Sequence, residues 1–380
     1  MISSTTLRGL LFVTLSGLWT IVKATPCVGF DTNWGLYVFG LEHDVSLGPV
    51  GNWAANPLSS TTLSKTGRPP FNGTNTQCFF AQFFNALYVL DGDSTQPSNI
   101  HIYSFETQSW STQQIDAAGT DPATLTAVLD RDTNVFFALS GSQLYSLDMG
   151  TLAQSDGARR AWNFVQAPEF TQNNKYPKPV MGLAQNHIHF LNLGTDAFTK
   201  IFVIHFSYMQ PELQAFAPIE AGGSGYPSAF GHTASIFKGF ESVQTKFAFL
   251  PEDGSATYVF DVISNTTQKL QAPSNKATVM VAASQREIVQ ITTSGEIFWL
   301  PYNPDDGQAN YGAVWSKLAL SIPVATGTNS TRPSSAVIET SPTSTQTGSS
   351  SAAPPPLSQS ALSTSIFTLG LAFTGLFSLF

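Results

Sequence analysis

One short unit recurs along this chain, and it constrains the possible folds more than any other feature. Its clearest copy begins at residues 85–92 (NALYVLDG), a β-branched and aromatic run that ends at a glycine. Residues 100–110 (IHIYSFETQSW) follow, with the alternation of a two-faced strand and a tryptophan after the next turn. The pattern predicts three antiparallel strands, with Trp110 filling a wedge between neighbouring sheets. So small a sheet cannot bury both of its faces alone, so copies of it must stack.

Further copies begin near residues 34, 134, 187, 246 and 287, at a spacing of roughly 45 to 55 residues. Six such units predict an all-β fold, a β-propeller with six blades of four-stranded antiparallel sheets. The first unit is the least regular, and we expect it to borrow a strand from the other end of the chain to close the ring. A β-sandwich of irregular hairpins is the alternative, but it gives no reason for the glycine and tryptophan positions to recur in one order.

Two of the copies carry a resemblance to a known family. Residues 78–110, and residues 231–236 together with 247–270, resemble kelch repeats. The resemblance implies a propeller domain over residues 25–324. The chain departs from the kelch pattern at Gly92, Gly141 and Gly194, where it keeps one glycine instead of a pair.

Composition narrows the class of protein. The chain has 380 residues, of which only 11% are charged and 12% are aromatic, a profile that favours an extracellular β-protein over a helical cytosolic one. The formal net charge is -8, and Lys and Arg do not cluster. Because phosphate binding needs clustered basic residues, we expect no nucleic-acid partner.

The two ends predict a route to the cell surface. Residues 1–24 combine Arg8, an apolar run and small residues before Thr25, which predicts a secretory signal peptide; a signal anchor is the alternative. Residues 325–350 are rich in Ser, Thr and Pro and predict a disordered stalk. Residues 351–380 end in an apolar tail and predict a glycosylphosphatidylinositol (GPI) propeptide with attachment at Ser350, a transmembrane helix being the alternative. Signal, propeller, stalk and anchor together resemble a fungal cell-surface protein.

Two cysteines and three sequons fit an oxidising compartment. Cys27 and Cys78 are an isolated pair, which predicts a disulfide bond. Asn72, Asn265 and Asn329 begin N-glycosylation sequons in predicted turns or in the tail. Some secreted kelch-type propellers resemble galactose oxidase, whose copper site requires a spare cysteine, and a disulfide would leave none.

The candidate metal ligands are His187, His189 and His205. Residues 187 and 189 share one face of a strand, and a hairpin could bring His205 opposite one of them, in one register parity. The alternative is that they are ordinary strand positions. Several carboxylates sit in predicted turns without a pairing pattern, and turn capping accounts for most of them. They are Asp31, Glu42, Asp44, Asp91, Asp93, Glu169 and Glu252.

No nucleophile motif or phosphate-binding loop is present in the sequence. Aromatic residues that could stack on a sugar are Trp53, Tyr176, Tyr226 and Tyr311, although packing between blades is the favoured explanation for each of them. We therefore expect a non-enzymatic binding or adhesion module at the cell surface or wall, without a cofactor, whose partner is a cell-wall glycan or an extracellular protein. The alternatives are an extracellular carbohydrate-active or metal-dependent enzyme, and a purely structural wall mannoprotein.

Overall fold

The structure, a computed structural model, describes residues 22–54, 58–220, 223, 225–239 and 243–327. Within this part of the chain, six antiparallel sheets form a six-bladed propeller. The predicted all-β fold is therefore confirmed. Each blade, numbered 1 to 6 in chain order, has four strands in sequence order from the ring's centre outward. The inner strands are Cys27–Phe30, Gln77–Ala81, Thr126–Asp130, Val180–Ala184, Gly231–Ile236 and Thr278–Ala283.

The remaining strands complete the blades. The second strands are Leu36–Phe39, Ala86–Leu90, Val135–Ser140, His187–Leu191, Lys246–Pro251 and Glu287–Thr292. The third strands are Val45–Gly48, Ile100–Ser104, Gln143–Asp148, Phe198–Val203, Thr257–Asp261 and Ile297–Pro301. The outer strands are Thr61–Thr62, Ser109–Gln113, Asn163–Gln166, Tyr208–Met209, Thr266–Leu270 and Ser316–Lys317.

Short elements join or extend these sheets. Gln214–Ala215 pairs with the third strand of blade 4, and Ala217–Pro218 runs parallel to the outer strand of blade 5. Ile115–Asp116 and Arg160–Ala161 form a parallel pair between blades 2 and 3. The helices are the 3-10 turns Val50–Asn52, Gln82–Phe84, Glu169–Asn174 and Ile204–Phe206, and the α-turn Gly307–Asn310. None of the helices in the described ranges is long and apolar enough to cross a membrane.

The turn after the second strand of blade 2 differs in detail from the sequence-based interpretation. Asp91, not Gly92, takes the left-handed backbone conformation, with φ of 47°. Glycine is required at position 92 for space, because an added Cβ would lie 2.9 Å from the Cγ1 of Val89 and 3.2 Å from the ring of His101. The glycine at this turn is thus explained by close packing, whereas the left-handed conformation falls to Asp91.

Apolar side chains fill every interface between adjacent blades. The buried residues divide into six hydrophobic clusters, and each cluster joins two neighbouring blades, including blades 6 and 1. The predicted wedge is confirmed at Trp110, whose ring lies 5.7 Å from Phe39 of blade 1. Trp315 fills the corresponding wedge between blades 6 and 5, where its Nε1 donates to the hydroxyl of Thr257 at 3.2 Å. Stacking of blades therefore buries the faces that one blade leaves exposed.

The ring closes differently from our expectation. Blade 1 takes all four strands from its own sequence, so the prediction of a borrowed strand is wrong. The two ends of the described chain meet beside it instead: Val22–Lys23 pairs with Thr326–Gly327, and Leu41 forms a bridge with Val324. Cleavage before Thr25 would remove the first of these pairs and leave the second. A complete outer edge in blade 1 makes a donated strand unnecessary.

Some predictions fall outside the described residues. These are most of the signal peptide 1–24, the stalk beyond residue 327, the GPI propeptide 351–380, and the positions Ser350 and Asn329. The predicted stalk begins at residue 325, whereas pairing with the N-terminal segment continues to residue 327.

Candidate ligand-binding site

The inner strands of the six blades surround a central cavity of about 290 Å³, which we call the well. Each inner strand is the edge of its sheet, so its unpaired backbone groups face the centre of the ring. The well begins at residues that precede the inner strands, among them Thr25, Asn75 and Phe230, which form its mouth. Its volume lies at the lower end of the range for small-molecule sites.

Side chains link neighbouring inner strands around the well. The amide of Gln77 donates to the carbonyl of Leu125 at 2.7 Å and accepts from the N–H of Ala127 at 3.1 Å, which joins blades 2 and 3. On the other side, Ser235 donates to the carbonyl of Leu183 at 2.7 Å, and Thr233 donates in the same way to Met181. These bonds satisfy edge groups that would otherwise be buried without partners, and they fix the spacing of the blades.

Three aromatic side chains meet where inner strands of different blades end. Phe237 follows the inner strand of blade 5 and is only 1% exposed. Its ring lies 5.1 Å from Trp34 of blade 1 and 6.0 Å from Phe83 of blade 2. Phe237 thus contacts residues from two other blades. We call Trp34, Phe83 and Phe237 the aromatic floor.

Arg131 lines the well beside this floor. It directly follows the inner strand of blade 3, and its guanidinium carbon lies 5.4 Å from the ring centre of Phe237. Its Nε donates to the carbonyl of Phe80 at 3.1 Å and to the side chain of Gln82 at 3.0 Å. Burial lowers the pKa of Arg131 to about 10, so the guanidinium stays protonated at neutral pH.

His232 is the other basic side chain in the described lining of the well. Burial, its largest influence, lowers the pKa of His232 below the usual value, while the charge of Glu252 acts in the opposite direction. The imidazole is therefore neutral at pH 7. Among the described residues that line the well, Arg131 is therefore the one charged side chain at pH 7.

The three predicted metal ligands are not gathered into one site in the structure. Val203 lies opposite His187, so a strand continued for two more residues would place His205 on the same face as the other two histidines. The strand ends at Val203, however, and His205 lies in a 3-10 turn. There the Nε2 of His205 is hydrogen-bonded to the amide of Asn186 at 2.8 Å. Among the described residues, no group of three or more His, Cys, Asp and Glu is placed to hold a metal ion.

His189 is part of the core between blades 4 and 5. Its ring lies 5.6 Å from Phe216 and 5.3 Å from Phe247, and neither ring nitrogen makes a hydrogen bond of ordinary geometry. Burial, followed by the nearby His187, lowers the pKa of His189 to about 3. The side chain is therefore a neutral packing residue at pH 7.

The predicted disulfide is confirmed: Cys27 and Cys78 are bonded, with their Cα atoms 6.1 Å apart. The bond joins the inner strands of blades 1 and 2 at the wall of the well. Of the described sequon asparagines, Asn265 is exposed in a turn, whereas Asn72 is partly buried and accepts from the N–H of Ser94.

The scattered carboxylates and aromatic residues have structural roles where the contacts are clear. Asp31 accepts the N–H groups of Asn33 and Gly35, and Asp93 accepts that of Thr95, so both cap turns. The structure buries Trp53, Tyr176 and Tyr226, and leaves Tyr311 exposed.

Sequence reasoning missed the well. Neither Arg131 nor His232 was among the candidate residues taken from the sequence. The signal that would have found them is position: a residue directly after or at the start of an inner strand lies near the axis of the ring.

No family model matches the sequence, and no curated protein matches it. Solved structures resemble the chain at low identity. YjhT is 11% identical, with a TM-score of 0.46, over 78% of this chain and 98% of that chain. Virginiamycin B lyase from Staphylococcus aureus is 9% identical, with a TM-score of 0.41, over 79% of this chain and 86% of that one. A chain of a nidogen/laminin complex is 9% identical, with a TM-score of 0.38, over 65% and 79%. At these values the likenesses carry no argument about function.

Proposed function

We propose that the chain is a non-enzymatic binding module on the outer surface of the cell, and that its ligand enters the well. The observation that carries this proposal is the geometry of the well: six inner strands surround a cavity of about 290 Å³, and the aromatic floor lies beside Arg131 of its lining. A cavity lined by apolar side chains with a few polar groups is the usual form of a small-ligand site. The expected partner is a cell-wall glycan or an extracellular protein that inserts a terminal group.

An enzyme in the same well is the weaker candidate. Glycoside hydrolysis needs two carboxyl groups across one cleft, and the described residues that line the well include no Asp or Glu. Binding requires less, because backbone edge groups, hydroxyls and one guanidinium suffice to orient a polar ligand.

Filling the well tests the proposal. Thr126 begins the inner strand of blade 3 and lines the well, and it is partly exposed. We expect Thr126→Trp to abolish ligand binding, since an indole would occupy the cavity. The measurement is a glycan array followed by titration calorimetry of the strongest hit with the purified full-length protein.

Thr61→Trp is the matched control, because Thr61 is exposed on the outer strand of blade 1. It should retain the wild-type affinity. Equal affinity in wild type and Thr126→Trp would contradict the proposal, as would the absence of any glycan or extracellular-protein ligand.

The cellular location is part of the proposal and is supported by residues 1–24 and 325–380 of the sequence. A GPI anchor at Ser350 would display the propeller outside the cell on a Ser/Thr-rich stalk. Treatment of intact cells with phosphatidylinositol-specific phospholipase should release the protein into the medium. Complete retention by the treated membranes would favour a transmembrane tail instead.

A further inference from the structure

Arg131 has hydrogen-bonding capacity that the described part of the chain does not use. A guanidinium carries five N–H groups in a planar fork. Its Nε–H is shared between the carbonyl of Phe80 and the side chain of Gln82. The two terminal nitrogens make no hydrogen bond to any residue that the structure describes, and no described carboxylate forms an ion pair with Arg131. Arg131 is itself one of the residues that line the well.

The acidic residues nearest in sequence do not fill this role. Asp130 and Asp132 flank Arg131 and act on it through space, but neither of them lines the well. Asp130 instead accepts the hydroxyl of Thr133 at 2.6 Å. Asp132 accepts a hydrogen bond from Gln244, and burial, followed by the charge of Asp130, raises its pKa. Among the residues that the structure describes, the guanidinium therefore has no ion-pair partner, and it is available to a ligand in the cavity.

From this geometry we infer that the well takes a small organic carboxylate about the size of a sugar acid, bound with its carboxylate on the terminal N–H groups of Arg131. The inference rests on the proposed function, because it names the ligand of the same well. A planar guanidinium pairs with a carboxylate through two parallel hydrogen bonds, and such pairs are strongest where water is excluded. The cavity of about 290 Å³ sets the size of the ligand.

The rest of the well suits the body of such a ligand. Inner-strand edges and hydroxyls such as that of Thr126 offer partners for sugar hydroxyl groups, and Met181 and Val279 offer apolar surface. At the mouth, the Nζ of Lys178 lies 5.2 Å from the ring of Phe230 and adds positive charge where an anion would enter. The same carboxylate could belong to a free sugar acid or to the terminal residue of an acidic glycan.

The test compares ligands that differ only in charge. D-galacturonate and D-galactose share one ring, and tri-galacturonate represents a glycan end; each is titrated calorimetrically into the purified full-length protein. We expect D-galacturonate or tri-galacturonate to bind at least about tenfold more tightly than D-galactose, the size of a charged hydrogen bond. Tighter binding of the monomer identifies a free sugar acid, and tighter binding of the trimer identifies a glycan end.

Variants then locate the carboxylate. Arg131→Gln should weaken uronate binding about 10- to 100-fold and leave galactose affinity unchanged. Arg131→Lys keeps the positive charge but loses the planar pair of donors. Its affinity for uronate should therefore lie between those of the wild type and Arg131→Gln. Arg286→Gln is the matched control, because Arg286 is exposed, lies outside the lining of the well, and donates from its side chain to the side chain of Asn303. Thermal unfolding of each variant verifies the fold, and Thr126→Trp blocks the well without altering Arg131.

The outcomes separate the two claims. If glycan binding is lost in Thr126→Trp but uronate and neutral sugar bind equally, the proposed function stands and the inference about Arg131 is wrong. If uronate binding is unchanged in Arg131→Gln, the inference is also wrong. If uronate binding persists in Thr126→Trp, the ligand does not bind in the well, and both the proposed function and the inference about Arg131 are wrong.

Discussion

Replacing Asp44 by alanine should lower the free energy of unfolding by about 3 to 5 kcal/mol, the cost of removing one partner of a buried ion pair. Asp44 is fully buried, and its two oxygens accept the Nε of Arg68 at 2.5 Å and the Nη2 at 2.8 Å. One of these oxygens also accepts the N–H of Gly40 at 2.9 Å. The variant would leave both donors without this acceptor, and Arg68 would be left as an uncompensated charge that is only 12% exposed.

The position of this pair adds to its importance. The Nη2 of Arg68 also donates to the carbonyl of Leu41 at 2.9 Å, and Leu41 bridges Val324 where the two ends of the propeller meet. Loss of the pair should therefore first destabilise the place where the two ends of the propeller meet, residues 40–42 and 323–325, which we call the seam. Hydrogen exchange should show faster opening at residues 40–42 and 323–325 than in the blades opposite.

Urea unfolding of Asp44→Ala measures the effect. The double variant Asp44→Leu with Arg68→Met should recover most of the loss, because an apolar pair needs no compensation. Asp156→Ala is the control: Asp156 pairs with Arg160 at the surface, and we expect little change there. A loss in Asp44→Ala no larger than in Asp156→Ala would show that the buried pair does not hold the seam.

Removing the disulfide should have a similar effect by a different mechanism. Cys27 and Cys78 are 51 residues apart in sequence. Chain-entropy arguments give a stabilisation of about 4 kcal/mol for a loop of this length, because the crosslink restricts the unfolded chain. We expect the double variant Cys27→Ala with Cys78→Ala to lose about this amount of unfolding free energy.

Reduction provides the matched comparison. Wild-type protein unfolded in the presence of dithiothreitol should show the same midpoint as the double variant, and the variant should not respond to dithiothreitol. Both sulfurs are buried in the cluster between blades 1 and 2, so native packing is affected as well. A difference below about 1 kcal/mol would mean that residual structure in the unfolded chain already brings the two positions together.

The sequence predicted the outer three strands of each blade better than the inner one. The second strand Ala86–Leu90, the third strand Ile100–Ser104 and Trp110 were all in the recurring unit, because aromatic and β-branched residues mark them. Inner strands such as Val180–Ala184 are buried along their whole length. They show no alternation of polar and apolar residues and contain small residues, so periodicity cannot reveal them.

The same reason hid the candidate site. Arg131 follows an inner strand, and in sequence it stands between two aspartates like any charged turn. Its place beside Phe237 depends on blades 3 and 5 approaching the axis, a contact between residues more than a hundred positions apart. The position of His205 was hidden for a related reason: the third strand of blade 4 ends at Val203, and no local sequence pattern marks that end. The disulfide between Cys27 and Cys78 was predicted correctly, because pairing two isolated cysteines does not require knowledge of how the strands are aligned.

The location of a bound ligand tests the central claim most directly. A crystal structure of the protein with D-galacturonate, or with the strongest ligand from the glycan array, should show density in the well, between the mouth at Asn75 and the guanidinium of Arg131. Ligand density on the outer strands or on the face beyond the aromatic floor, with the well empty of it, would contradict the account.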